Sequence, residues 1–297
     1  MNPERAVQPS FTMFKLFSSL TVALPIFAAG VWLKRQPDRW PGPDRVVEGR
    51  AVEVVVGKGL RGWRLSAPDP RFGGLSALVI DRGGLLALSD SGVVVRFAPP
   101  EAQRAMRFAL HDLPDGPGGG LYKSTRDSES LLADGASGWW VGFESRHSLW
   151  RFDRTFRKVL EIRWLDVDWS VNLGAEALVA GGRSGVMALP EAGGPAAGGK
   201  MVAPAWTSDA ARMPDGRLVL LIRRPSSTGF VNQLRIEAGA GKPARRIALH
   251  LAAFDNMEGI AAAPLPNGGT RLWIVSDDNF RPWMRTLLVA LDLPPSA

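Results

Sequence analysis

The chain has 297 residues, with 36 Lys and Arg against 29 Asp and Glu, a formal net charge of +7, and no cysteine. The lack of cysteine excludes a disulfide framework, a thiolate zinc site and a cysteine nucleophile. The positive charges are scattered between apolar runs and are not clustered with stacking aromatic residues, so we do not expect nucleic-acid binding. A small anionic ligand, or simply a solvated Arg-rich surface, fits this charge pattern better.

The first segment with a distinct pattern is an apolar run from Leu16 to Leu33. Lys15 precedes the run, and Ala28-Ala29-Gly30 offers the small residues of a cleavage site, so the pattern predicts a signal peptide. The run is also near the length needed to span a bilayer, which keeps a membrane anchor as the alternative. We therefore expect residues 1–35 to be a signal peptide or anchor, and 36–50 to be a linker. The expected location is periplasmic or exported, with inner-membrane anchoring as the alternative.

Residues 51–297 consist of short apolar runs that are bounded by Gly, Pro, Asp or Asn. Examples are residues 75–80, 139–143 and 272–275, which are rich in Val, Ile, Leu and Trp and are typical of strands. No long stretch keeps a helical apolar period between two caps. The length suits one all-β domain.

An internal repeat organises this domain. Five segments share one pattern, in which a small or acidic cluster leads into an apolar strand, a Gly turn and a second apolar strand; they begin near Gly74, Asp127, Asn172, Ser208 and Asp255. A spacing of roughly 35 to 55 residues is typical of β-propeller blades, and the length would hold about six of them. We expect the sheet to close by pairing a strand at 52–56 or 62–65 with the last strand at 286–293, because closure leaves no long exposed edge.

Three glutamates, Glu129, Glu176 and Glu258, occupy equivalent places in the repeats, and Ser76 and Asp209 fall in the same register. Inner strands of a propeller line its channel, so these carboxylates should converge and repel one another. A hard cation such as Ca²⁺ would relieve that repulsion. The predicted metal ligands are therefore Glu129, Glu176, Glu258 and Asp209. A structural role, in which each carboxylate accepts backbone N–H bonds, is the alternative.

Three motifs resemble those of a known family. They are Asn172-Leu173-Gly174-Ala175-Glu176, Asp255-Asn256-Met257-Glu258-Gly259 and Ser276-Asp277-Asp278-Asn279-Phe280. The chain from about residue 70 to 293 resembles the phytase-like proteins described as "esterase-like activity of phytase". The resemblance implies a bacterial, exported β-propeller that hydrolyses phosphate or carboxyl esters. Ser130 and Ala177 stand where this family typically has glycine after the glutamate.

The candidate site follows from the ring and from this resemblance. We expect Glu129, Glu176 and Glu258 to act at the channel, with Asp277 and Asp278 at its mouth. Phosphate could be bound by three arginines near strand ends, namely Arg146, Arg223 and Arg224. A serine triad is the weaker reading, because no Gly-x-Ser-x-Gly is present and the chain has only three histidines.

These observations predict a metal-dependent phosphoester or ester hydrolase that acts as a monomer on a small anionic or ester substrate. A non-catalytic propeller that binds a ligand or an envelope partner stays open as the alternative. A propeller lactonase would need a similar acidic ring and is not separated from the hydrolase by these residues.

Overall fold

The computed structural model describes Arg39 and residues 41–100, 105–170, 173–182 and 185–295. Apart from one short helix, α1 (Lys123–Arg126), the regular elements are strands. In chain order they are β1 (Arg45–Val54), β2 (Arg61–Ser66), β3 (Leu75–Asp81), β4 (Gly84–Ser89), β5 (Val93–Phe97), β6 (Ala105–Asp112), β7 (Ser128–Asp134), β8 (Gly138–Phe143), β9 (Ser148–Asp153), β10 (Val159–Trp164), β11 (Ala175–Ala180), β12 (Val186–Pro190), β13 (Gly194–Pro195), β14 (Val202–Ala203), β15 (Thr207–Arg212), β16 (Leu218–Ser226), β17 (Gly229–Ile236), β18 (Arg245–Leu249), β19 (Asn256–Pro264), β20 (Thr270–Asp277) and β21 (Leu287–Leu293).

The strands form the blades of a β-propeller. Blades 1, 2 and 4 are the antiparallel sheets β3–β6, β7–β10 and β15–β18. Blade 3 combines the pairs β11–β12 and β13–β14, which the bridge between Ala188 and Ala197 connects. Blade 5 contains β19, β20, β21 and β2. Each innermost strand contacts the next around the axis, and β19 contacts β3, so five blades close the ring.

The all-β propeller predicted above is confirmed, but the described residues form five blades, not six. The estimate of six divided the domain length by an average repeat. In the structure β2 is the outer strand of blade 5, where Trp63 pairs with Leu288 of β21, as the expected closure requires. Strand β1 then pairs with both β2 and β6 and joins the outer edges of blades 5 and 1. The N-terminal strands therefore complete and seal existing blades, so no sheet edge is left open between them.

The packing of the core explains why the middle strands are continuous apolar runs instead of alternating apolar and polar residues. Middle strands are buried on both faces, because each blade packs against a neighbour on either side. In β4, Leu85 and Ala87 join the core between blades 5 and 1, whereas Leu86 and Leu88 join the core between blades 1 and 2. The outer strand β10 alternates between half-buried and exposed residues, as a strand with one solvated face does.

Serine side chains tie neighbouring inner strands together. The hydroxyl of Ser76 donates to the carbonyl of Ser128 at 2.7 Å, and Ser130 donates to the carbonyl of Ala175 at 2.5 Å. Ser208 donates to the carbonyl of Met257 at 3.2 Å. Each bond joins one blade to the next, so these serines hold the ring of inner strands closed.

Several predicted segments differ in detail. Strand β1 begins at Arg45, inside the predicted linker 36–50. Residues 105–112 form strand β6, the fourth strand of blade 1. The leader predicted at 1–35 and Asn172 lie outside the described residues. Among the residues described, no helix is both long and apolar enough to cross a bilayer.

Candidate functional site

The inner strands carry one irregularity at the same place in all five blades. Each pairing between an inner strand and its neighbour shifts register by one residue, which is the signature of a β-bulge. The extra residues, here called the bulge ring, are Ser76, Glu129, Glu176, Ser208 and Glu258. The three predicted glutamates are thus equivalent in structure, and serine replaces them in blades 1 and 4.

A second ring follows from the same pairing. On each second strand, one residue directly follows the partner of the residue that precedes the bulge, and it lies opposite the start of the inner strand, as when the Glu144 amide donates to the carbonyl of Asp127 at 2.9 Å. These residues, here called the strand-end ring, are Asp90, Glu144, Glu191, Arg223 and Asp277. Both rings lie at the end of the channel where the inner strands begin. Farther along the inner strands, a cavity of about 260 Å³ is lined mainly by apolar residues such as Leu78, Leu178 and Ile260.

The end of the channel that carries the bulge ring and the strand-end ring is here called the mouth. Burial disfavours charge on the carboxyl groups at the mouth. Burial, followed by the charge of Asp277, raises the pKa of Asp90 to about 8. Burial, followed by Asp127, raises the pKa of Glu144 to about 8. Burial and then Glu258 raise the pKa of Asp277 to about 7. Glu129 is half-buried, and burial and the charge of Asp127 raise its pKa well above the ordinary value.

Lys123 from helix α1 lies among these carboxylates. Its Nζ is 3.1 Å from Asp90 Oδ2 and 2.9 Å from Asp127 Oδ1. Burial alone would lower the pKa of Lys123, but the charges of Asp90, Glu129 and Asp127 together raise it. Lys123 is therefore a fixed cation that joins blades 1 and 2 at the channel mouth.

Arg223 is the second cation. Its Nη2 is 2.8 Å from Glu191 Oε1, its Nε is 3.5 Å from Glu258 Oε1, and its Nη1 donates to Asn256 Oδ1 at 3.2 Å. Asn256 in turn donates to Glu258 Oε1 at 2.8 Å and to Asp277 Oδ2 at 3.4 Å. Burial by itself would lower the pKa of Arg223, but Glu258 and Glu191 raise it. This network fixes the guanidinium between blades 3, 4 and 5.

The mouth keeps an excess of negative charge. Eight carboxyl groups meet two cations there; the carboxyl groups are those of Asp90, Asp127, Glu129, Glu144, Glu176, Glu191, Glu258 and Asp277. Burial and the neighbours Glu144 and Glu258 also raise the pKa of Glu176 well above its ordinary value. Either protons or a bound cation must therefore balance these groups at neutral pH.

One group of carboxylates in the described part of the chain has ligand spacing. One carboxylate oxygen from each of Asp127, Glu129 and Glu144 lies within 4.8 Å of the others. Hard oxygen donors at this spacing suit Ca²⁺ or Mg²⁺. Among the predicted ligands Glu129, Glu176, Glu258 and Asp209, only Glu129 belongs to this group.

Asp209 lies one residue beyond the bulge ring, where Ser208 stands instead. Its carboxylate accepts hydrogen bonds from the amides of Ile260 and Ala210, both at 2.7 Å. The bond from Ile260 links blade 4 to blade 5, so the structure gives Asp209 the structural role that the sequence left open for ring carboxylates. The placement of Asp209 in the ring was wrong because a bulge shifts the side-chain alternation by one residue.

Asp278 also binds backbone instead of facing the ring residues. Its Oδ1 accepts from the amides of Gly74 at 2.9 Å and Phe280 at 3.0 Å, and its Oδ2 accepts from the Thr286 hydroxyl at 2.6 Å. Asp278 therefore fastens the β20–β21 loop onto blade 1. Its neighbour Asp277 occupies the strand-end ring, as the predicted mouth position requires.

Of the three predicted arginines, only Arg223 forms ion pairs with ring carboxylates. Arg224 follows it on the other face of β16 and is exposed, and Arg146 is exposed in the β8–β9 loop. The imidazole rings of His111 and His147 form hydrogen bonds, but none of these bonds is to a serine. His111 bonds to Asp44 and to the carbonyl of Phe156, and His147 bonds to the carbonyl of Trp169.

Sequence reasoning missed Lys123, Asp90, Asp127, Glu144 and Glu191. Four of these five residues have a signal in the sequence. Asp90, Glu144 and Glu191 follow the second apolar run of their repeats. Asp127 is the first residue of the acidic cluster that opens its repeat. The strand-end position holds Asp, Glu, Glu, Arg and Asp in the five blades. Because the residue type varies, the five positions are recognised as equivalent only when the strands are paired.

Comparison with known proteins gives the following results. Residues 70–280 match the model of the phytase-like family, described as "Esterase-like activity of phytase". Curated proteins include no match. Solved structures that resemble the chain include glutaminyl cyclase from Myxococcus xanthus, with 14% identity over 85% of this chain and 99% of that one and a TM-score of 0.45. Virginiamycin B lyase from Staphylococcus aureus has 10% identity over 84% and 100%, with a TM-score of 0.39. The family match spans more than half of the chain, and the chain therefore belongs to the phytase-like family.

Proposed function

We propose that this propeller is a metal-dependent hydrolase of phosphoesters or related esters, with its active site at the acidic mouth of the channel. The observation that carries the proposal is the grouping of Asp127, Glu129 and Glu144 beside the fixed cation Lys123. A location in the cell envelope, expected from residues 1–35, is part of the same proposal.

The donor set fits a hard divalent cation, and Ca²⁺ is our first candidate. All three ligands are carboxylates, and the mouth holds more carboxyl groups than Lys123 and Arg223 can balance. When bound, such a cation would neutralise the carboxylates and polarise an ester oxygen. The remaining ring residues would then act on the substrate directly.

The two fixed cations suit an anionic group. Lys123 and Arg223 come from opposite sides of the ring, and their carboxylate partners hold both in place. A phosphate group entering the mouth would meet an ammonium and a guanidinium, which are the donors that bind phosphate oxygens in proteins. We assign them the role of positioning the anionic part of the substrate.

Two buried acids suit proton transfer near neutral pH. The pKa of Asp277 is raised to about 7 and that of Asp90 to about 8, mainly by burial. A group with a pKa near the working pH serves well as a general acid or base. We assign to Asp277 or Asp90 the proton that the leaving-group oxygen must receive.

Exposed aromatic residues at the same end favour an organic substrate. Trp206, Phe254, Phe280 and Trp283 lie in loops at the mouth and are between 38% and 65% exposed. Such side chains can contact an apolar or ring-shaped group that a carboxylate cannot. This observation also favours the alternative, a non-catalytic propeller that binds an organic ligand at the same mouth.

An activity screen of the full chain separates the two functions. We expect the metal-free protein to be inactive toward p-nitrophenyl phosphate and p-nitrophenyl butyrate, and Ca²⁺ to restore hydrolysis of at least one. Lys123→Met should raise KM for the phosphate at least tenfold, while Lys58→Met, which removes an exposed lysine, should not change it. If neither ester is hydrolysed in the presence of Ca²⁺ or Mg²⁺, the hydrolase proposal is contradicted and the non-catalytic binding function is favoured.

A further inference from the structure

A second charged cavity lies outside the channel, between the outer parts of blades 1 and 2. Its volume is about 570 Å³, and its polar lining includes Arg45, Arg82, Arg96, Arg154, Arg157 and His111. None of these residues belongs to the bulge ring or the strand-end ring. The cavity is therefore separate from the proposed active site, and it has the opposite charge.

Two carboxylates balance part of this charge. Asp81 contacts Arg154 Nη2 at 2.5 Å and Arg96 Nε at 3.4 Å. Asp44 contacts Arg157 and, at 2.6 Å, His111 Nδ1. Five arginines thus face two aspartates in the same cavity. Arg45 and Arg82 form no ion pair with any residue that the structure describes, so the cavity keeps an excess of positive charge.

Packing fixes two of the guanidinium groups in place. The Arg154 guanidinium lies over the Trp139 ring, 4.3 Å from its centroid, and the Arg154 carbonyl accepts from Trp139 Nε1 at 3.2 Å. The Arg96 guanidinium lies 5.5 Å from the centroid of the Phe156 ring. A guanidinium held on an aromatic ring loses less freedom when it binds an anion.

Arg82, in the wall of the cavity, has a backbone conformation that is unfavourable for a residue with a side chain. It is the first residue of the two-residue turn between β3 and β4, with φ at 51°, and Gly83 follows with φ at 78°. Turns of this type favour Asn or Gly at the first position, because a side chain crowds the left-handed conformation. An arginine there works against the turn and adds one unpaired cation to the cavity, which indicates a role other than turn formation.

We propose that this cavity binds a phosphate-class anion, meaning a phosphate or pyrophosphate group on a small molecule or on a lipid headgroup. Planar guanidinium groups bind such oxygens in a bidentate manner, and several converging arginines favour an anion with more than one charge. The site is independent of the proposed hydrolysis, because it shares no residue with the channel mouth.

The test uses the full chain in the presence of a chelator, so that a cation in the channel cannot recruit the anion. Inorganic pyrophosphate is titrated calorimetrically into wild type, Arg82→Asn and Arg246→Gln. Arg82→Asn removes the charge but suits the turn; Arg246→Gln removes an exposed charge from β18. We expect Arg82→Asn to weaken binding at least tenfold with an unchanged or higher Tm, and Arg246→Gln to bind like wild type.

A second arm distinguishes the source of the anion. The same three proteins are sedimented with vesicles of phosphatidylcholine alone or with phosphatidylglycerol added. Loss of binding to the anionic vesicles in Arg82→Asn, but not in Arg246→Gln, assigns a lipid headgroup; loss restricted to pyrophosphate assigns a soluble ligand. The proposal is overturned if neither probe binds wild type, or if Arg82→Asn binds both probes as wild type does. Hydrolysis at the channel should be equal in all three proteins.

Discussion

In the presence of a chelator, the Tm of this protein should fall as the pH is raised from 5 to 8. The carboxyl groups of Asp90, Glu144 and Asp277 have ordinary pKa values of 3.8, 4.5 and 3.8, and burial raises these to about 8, 8 and 7. The folded state therefore holds protons that the unfolded chain has released. This contribution is fully present below about pH 4 and is lost as the pH rises through the raised values. We expect a loss of about 2 kcal/mol or more, which is about 4–8 °C in Tm for a domain of this size.

Added Ca²⁺ should reverse this trend. A cation competes with protons for the same carboxylates, so its stabilising effect should be small at pH 5 and large at pH 8. At a concentration one hundred times its Kd, the ion would stabilise the fold by about 2.7 kcal/mol. Scanning calorimetry at four pH values, with chelator and with Ca²⁺, measures both effects. A Tm that rises with pH in chelator would show that the carboxylates are balanced without protons or metal.

Glu129→Gln should have opposite effects on stability and on function. Glu129 is a member of the ligand group and of the bulge ring, and burial and Asp127 disfavour its charge. Glutamine keeps the shape and removes the charge, so the chelated variant should be more stable than wild type at pH 8. The same change removes one carboxylate ligand. The apparent Kd for Ca²⁺, measured from the rise in Tm, should therefore increase at least tenfold, and the rate of hydrolysis should drop at least a hundredfold.

Glu53→Gln is the matched control, because Glu53 is an exposed glutamate on β1. It should leave the Tm, the response to Ca²⁺ and the hydrolysis rate unchanged. If Glu129→Gln instead lowers the Tm in chelator by several degrees, Glu129 is an ionised residue that stabilises the fold, and its assignment as a metal ligand fails.

The repeat pattern was sufficient to predict the propeller and four members of the bulge ring, which are Ser76 and the three glutamates. Glu129, Glu176 and Glu258 each follow a small or acidic cluster and precede an apolar run, and this order is visible without a structure. The number of blades was not predictable from average spacing. The strand that completes blade 5 comes from the N-terminal end of the domain. The domain length divided by an average blade length therefore gives six blades, whereas the repeats counted along the chain number five.

The rest of the site depends on strand register. Asp209 was assigned to the ring because its spacing resembles that of the glutamates, but the bulge places Ser208 there. Asp90, Glu144 and Glu191 reach the mouth from second strands, and only the antiparallel pairing shows that they are equivalent. Lys123 lies on a four-residue helix that no apolar period would reveal. Long-range pairing decides these positions, and local sequence does not encode it.

The most direct measurement is the anomalous X-ray scattering of Mn²⁺ in crystals of the full chain grown in chelator and then soaked. Mn²⁺ prefers the same oxygen ligands as Ca²⁺ and Mg²⁺ and can be located without ambiguity. We predict one strong peak within about 2.5 Å of carboxylate oxygens of Asp127, Glu129 and Glu144. A soaked crystal without a peak at the channel mouth, or with its strongest peak elsewhere, would contradict a metal-dependent site built from these residues.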